Sequence, residues 1–223
     1  MSDKDKLLRI YLKARGKATG IESYADAQDY ALSLGGIIAD ALEGTGLELS
    51  DIPEDELVAM LRPVLKQAQG DALSAARLAQ QAQNRAAKLR LGVLEAEVDG
   101  AAAEAIAGQI AGRAISKEYL ARALNDRLQH IVDETQRKNI KARDDMGLGV
   151  HIVRKYSDLG LRSGTKYAEP CKWCLDRCGE WTNYQEAYEA GCFERHDGCC
   201  CQIDYDVYGT HTVSKDKWNW YNK

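Results

Sequence analysis

Apolar residues return every three or four positions through most of the chain, the spacing of a helix that buries one face. Leu57, Met60, Leu61, Val64, Leu65 and Ala68 form the clearest stripe. Ahead of it, Ser50 and Asp51 are candidate N-caps, Pro53 fits a first turn, and Glu54, Asp55 and Glu56 complement the positive end of the helix dipole. Pro63 lies inside the stripe and predicts a kink, because it removes a backbone hydrogen bond and crowds the preceding turn. Leu7, Ile10, Tyr11 and Ala14 predict a short first helix, and Leu34, Ile37, Ile38, Ala41 and Leu42 predict a second that closes before Gly44-Thr45-Gly46. From Asp71 to Ile115 the text is rich in alanine and predicts one or two helices, punctuated at Gly92 and at Asp99-Gly100. Gly108 and Gly112, among Glu104, Gln109 and Arg113, predict close packing between water-soluble helices rather than a membrane contact. Ser116 caps a long helix expected over 116–146, in which Leu120, Leu124, Leu128, Ile131 and Thr135 share a face.

After about Ser157 this pattern stops, and glycine, Pro170, cysteine and aromatic residues take over. The expected fold is therefore mainly α. An N-terminal helical body over 1–156 carries the partner-docking faces, a small metal-stabilised α+β module follows over 157–208, and an aromatic tail over 209–223 completes the chain. The tail reads either as a strand packed on the module or as a peptide that docks on a partner, with Trp218, Trp220 and Tyr221 as its contact residues and Tyr184 and Tyr188 as further candidates.

Charge narrows the function. With 30 Lys and Arg against 34 Asp and Glu, the formal charge of −4 argues against a surface built throughout to wrap nucleic acid. Locally, Arg137, Lys138, Lys141 and Arg143, followed by Arg154, Lys155, Arg162 and Lys166, make a basic stretch that is a candidate for contact with DNA or a partner, against the alternative of a solvated helix face balanced by Asp144 and Asp145. The opening residues lack the layout of a signal peptide and no run is long enough to span a membrane, so a protein made in the cytosol, with no membrane partner, is expected.

All 7 cysteines lie between Cys171 and Cys201. Cys171-Lys172-Trp173-Cys174 is a Cys-x2-Cys knuckle, and His196-Asp197-Gly198-Cys199-Cys200-Cys201 returns a second cluster. Two such groups joined by a loop suit a tetrahedral zinc ion, which takes four thiolate or imidazole ligands. The candidate ligands of a structural Zn2+ are Cys171, Cys174, His196, Cys199 and Cys201. In an extended returning segment Cys199 and Cys201 share a face and Cys200 points away. Cys178 and Cys192 are left as buried apolar residues, a disulfide or alternative ligands. An odd cysteine count weighs against a disulfide framework, and the absence of a βαβ context weighs against a redox-active pair. No phosphate loop, nucleophile elbow or His-Glu-x2-His appears, so neither a catalytic residue nor a small-molecule substrate is expected.

Glu134-Thr135-Gln136-Arg137 with Asn139 on a helix, then Cys171-x2-Cys174, then His196-x2-Cys199-x-Cys201 resemble the phage minor head proteins of the Mu F-like head morphogenesis family, over roughly residues 116–206. That family ends in His-Pro-Asn-Cys-Arg-Cys; here Asp197, Gly198 and Cys200 replace its Pro, Asn and Arg. The resemblance implies a low-copy structural protein of the virion without catalytic activity. It would associate with the portal protein or major capsid protein inside the head, near packaged DNA. The rival reading is a zinc-stabilised DNA-binding protein or nuclease, for which Asp197, His196 and His211 are the available groups.

Overall fold

A computed structural model describes residues 3–156, 172–196, 198–199 and 201–208. Helix α1 (Asp3–Ala14) buries Leu7 and Tyr11. Helix α2 (Tyr24–Glu43) starts in a capping box, in which Asp26 N donates to Ser23 Oγ (3.1 Å) and Ser23 N donates to Asp26 Oδ2 (2.9 Å). Helix α3 (Glu54–Ala86) runs 33 residues and continues through Pro63, with all six residues of the predicted stripe buried. Its N-cap is Pro53; Ser50 and Asp51 belong instead to a 3-10 turn, Leu49–Asp51.

The alanine-rich segment departs from expectation after Ala86. Helix α3 closes in a Schellman turn, with Lys88 at φ 55°, Lys88 N donating to Arg85 O (3.1 Å) and Leu89 N to Asn84 O (2.8 Å). Residues 88–99 then run as a non-helical strap along the body before helix α4 (Ala102–Ile110). Gly108 is exposed and Gly112 ends the helix in left-handed backbone (φ 67°), so neither glycine mediates the close packing predicted for the pair.

Helix α5 (Lys117–Asp145) matches the predicted long helix. Ser116 Oγ accepts from Tyr119 N (3.2 Å), the five predicted face residues are buried, and Gly147 at φ 79° closes the C-terminus. Its close neighbour is α2, and Gly35 is where they meet. A Cβ there would lie 2.9 Å from Ala121 O and run into the Asn125 side chain. Gly35→Ala is therefore expected to cost about 1–3 kcal/mol by forcing the helices apart. Urea unfolding checks this, and an unchanged midpoint would count against the close approach.

Strand β1 (Gly149–Lys155) falls within the stretch expected to be helical. Val150, Ile152 and Arg154 alternate inward, a strand period rather than a helix period. A single turn, α6 (Lys172–Leu175), strand β2 (Gly179–Trp181), helix α7 (Tyr184–Glu189) and strand β3 (Gln202–Tyr208) complete the described elements. The sheet has order β2-β1-β3, antiparallel throughout, with Ile152 opposite both Trp181 and Tyr205. Its central strand thus lies on the body side of the boundary expected at 156.

The sheet packs on α2 and α5, sharing one apolar core with them. The outward backbone of Ile203 is taken by two glutamines: its N–H donates to Gln28 Oε1 (3.2 Å), and its carbonyl accepts from Gln136 Nε2 (2.8 Å). A buried polar chain crosses the interior. The Tyr24 and Tyr205 hydroxyls both donate to Gln80 Oε1, Gln80 donates to Asn84 Oδ1 (3.2 Å), and Arg143 Nη2 donates to the same Asn84 oxygen (2.6 Å). Among the described residues no helix is long and apolar enough to cross a membrane.

Candidate metal centre

Local backbone chemistry brings the sulfur ligands together. Cys174 projects from the single turn α6, which closes with Arg177 N donating to Cys174 O (3.1 Å). His196 and Cys199 share a tight turn in which Cys199 N donates to His196 O (3.0 Å). Gly198 inside that turn adopts φ 72°, a conformation costly for most side chains. Cys174 Sγ lies 2.9 Å from His196 Nε2 and 3.8 Å from Cys199 Sγ, and the three donor atoms lie within 4.8 Å of one another. A tetrahedral ion with bonds of ~2.3 Å to sulfur spaces its sulfurs ~3.8 Å apart. This cluster can hold a metal ion.

Cys201 is fully buried against Cys174 and Cys199. The hydrogen bond with Cys201, then the nearby Arg195 and Arg154, hold the Cys199 thiol well below its ordinary pKa; the same bond and burial push Cys201 up. Of the predicted ligands, Cys174, His196 and Cys199 converge, Cys201 packs against the two sulfurs without joining the three donors that lie within 4.8 Å of one another, and Cys171 falls outside the described residues, as does Cys200. Cys192 stands apart as a buried apolar residue whose thiol is pushed up to about 12 by burial. No disulfide joins any two of the five described cysteines.

Two guanidinium groups, that of buried Arg154 and that of partly buried Arg195, frame the sulfur. Arg154 Nη2 donates to Cys199 Sγ (3.7 Å), and its Nη1 reaches the Gly191, Cys192 and Glu194 carbonyls at 3.2, 2.7 and 2.6 Å. Arg195 Nη1 donates to the same sulfur (3.7 Å) and to Cys201 O (2.6 Å), while its other nitrogens grip Asp133 of α5. Asp133 also accepts from Gln28 (3.0 Å), which ties the centre to α2. Trp173 stands edge-on to His196, with Arg177 over its ring at 3.8 Å. Sequence reading placed Arg154 in the basic stretch that could face phosphate, whereas it is buried beside sulfur, and it passed over Arg195. The available signal was an arginine at an inward position of an alternating strand, where a charge needs a buried partner.

A cleft of about 450 Å3 opens beside His196, with Asp126, His130, Glu134 and Phe193 among its walls. Glu134 and Arg137 pair through both carboxylate oxygens at 2.8 Å, and Arg137 also donates to the Tyr184 hydroxyl (2.9 Å).

Much of the basic stretch is otherwise employed. Arg143 is completely buried and donates to Asn139 and Asn84, so it cannot reach a phosphate in this fold. Lys138 donates to Glu95 O (3.2 Å) in the strap, and Lys141 pairs with Asp145 at 2.5 Å. Tyr184, expected at a docking surface, is buried in a stack with Phe193 and Tyr188; of these aromatic residues, Tyr188 is the exposed one. Arg162, Lys166, Trp218, Trp220, Tyr221, Asp197 and His211 lie outside the described residues.

Of the Glu-Thr-x-Arg and Asn residues, Glu134 and Arg137 face the cleft, while Thr135 and Asn139 form a seam with the strap. Thr135 Oγ1 accepts from Ala96 N (3.0 Å), and Asn139 both accepts from Leu94 N (3.1 Å) and donates to Leu94 O (2.7 Å). Together they hold the strap against α5 through its backbone. No protein-family model matches the chain, and no curated protein or solved structure matches it either.

Proposed function

We propose that this chain is a low-copy minor head protein of a tailed phage: a structural, non-catalytic component of the virion whose helical body docks on the portal or the inner capsid. Its metal would be Zn2+, held closed by thiolates and imidazole. The observation that carries the reading is how the motif residues behave together. Glu134, Thr135, Arg137 and Asn139 lie along one helix whose Asp133 grips the Cys/His turn through Arg195. Gly198 supports it further. It stands where the resembled family has Asn, and glycine and asparagine are the residues that best tolerate left-handed backbone. Two thiols at the sulfur spacing of a tetrahedral ion, with an imidazole beside them, suit zinc, and the buried position of Cys174 and Cys199 suits a structural site rather than an open catalytic one.

Native mass spectrometry of the protein co-expressed with portal and capsid subunits tests this reading. The expected result is about one zinc per chain and a complex with portal or capsid. A metal-free monomer that leaves both subunits unbound would overturn it.

A further inference from the structure

Arg154 presents a problem of charge. Its residue is 1% exposed, and it sits in the interior beside the sulfur cluster. Arginine stays protonated in proteins, so this is a permanent buried cation. Among the described residues no carboxylate forms an ion pair with it: its partners are three carbonyl oxygens, the Cys199 sulfur and the face of Trp173. Arg195, by contrast, is already matched by Asp133. A buried cation without a counter-charge is costly, and neutral carbonyls do not supply one.

The missing charge has a natural source within hydrogen-bond reach. A divalent ion bound by two thiolates and a neutral imidazole is uncharged, whereas three thiolates and an imidazole leave one net negative charge. Cys174, Cys199 and Cys201 are buried together against Arg154 and Arg195. We propose that Arg154 is the counter-ion of the metal centre, which carries one net negative charge when Cys201, packed against the two sulfurs, joins Cys174 and Cys199 as a third thiolate beside the His196 imidazole. Arg195 is a positioning residue. It fixes the Cys199 sulfur while gripping Asp133, so the centre is oriented by the helical body as well as by its own loops. This rests on the reading of the cluster as a zinc site and adds the charge of that site and the residues that set it.

The test is zinc affinity of the full chain by chelator competition, read beside the ligand-field spectrum of the cobalt(II) form. Arg154→Met is expected to lower zinc affinity ~10–100-fold, as removal of outer-shell partners does, with the tetrahedral cobalt bands retained. Asp133→Asn is the control for general damage. It weakens the seam but leaves Arg195 free to face sulfur, so zinc affinity is expected to hold or rise while stability falls. Should Arg154→Met fail to fold, Arg154→Lys and Arg154→Gln carry the same comparison, with Lys expected to bind zinc about tenfold more tightly than Gln. Cys201→Ser is expected to shift the cobalt spectrum, because one sulfur ligand is lost. Equal zinc affinity in wild type and Arg154→Met, equal losses in Arg154→Met and Asp133→Asn, equal affinities in the Lys and Gln variants, or an unshifted Cys201→Ser spectrum would overturn the proposal while leaving a zinc site intact. A wild-type chain that binds no zinc would overturn the zinc reading itself.

Discussion

Stripping zinc from the proposed centre with a strong chelator is expected to dismantle the C-terminal sheet while leaving much of α2, α3 and α5 helical. The turns bearing Cys174, His196 and Cys199 are short, and the apolar core lies on the helix side of the sheet. Structural zinc supplies about 10–16 kcal/mol of apparent binding free energy in small modules. With free zinc at about a thousand times the dissociation constant, roughly 4 kcal/mol of that appears as added stability. Circular dichroism melts in zinc and in chelator should differ accordingly, and Cys199→Ser should reproduce the chelated state without chelator. Acid should act in the same direction, because thiolates and imidazole must be deprotonated to bind, so affinity falls as pH falls. Identical melts with and without chelator would show that the sulfur cluster stands without metal.

Asn139→Ala should be the most damaging single change in the helical body. The Asn139 amide makes two bonds to the Leu94 backbone, donates to Thr135 O (2.7 Å) and accepts from buried Arg143 (3.0 Å). Alanine leaves the Leu94 N–H and carbonyl facing a gap and removes one of the oxygens that solvate a buried guanidinium. At about 1–3 kcal/mol per unsatisfied buried group, the combined loss is expected to reach ~3–5 kcal/mol. Urea denaturation measures it, and hydrogen exchange should show the strap amides opening first. A loss below ~1 kcal/mol would mean that the strap is held by its apolar contacts instead.

These expectations depend on features that the sequence revealed unevenly. Helix α5 was legible because every signal agreed: a serine cap, a continuous apolar face and a glycine at the stop. The end of α3 was not, because its left-handed closing position carries Lys88 rather than glycine, and lysine gives no stop signal. The strap was hidden for a related reason. Residues 88–99 look helical by composition, yet side chains of Thr135 and Asn139, some forty residues on, satisfy their backbone. Strand β1 had a readable period of two, but it is short and its last inward position is an arginine that looked like surface charge. The cysteine and histidine spacing offered five candidate ligands, of which the fold brings Cys174, His196 and Cys199 together. The cations that frame them come from a strand and a loop, and only the folded chain brings those to sulfur.

The buried polar chain from Tyr24 through Gln80 and Asn84 to Arg143 has a mechanical consequence. The inner face of α3 is lined by Ala68, Ala72, Ala75, Ala76 and Ala79, a nearly smooth rail of methyl groups on which a neighbouring helix could slide by a turn and still bury similar area. Methyl groups do not distinguish one such position from the next. The hydroxyl and amide groups do, because a slip of one turn would strand a guanidinium, two phenols and two amides in the dry interior at once. The chain therefore acts as a detent on the rail, confining the helices of an alanine-rich body to one position.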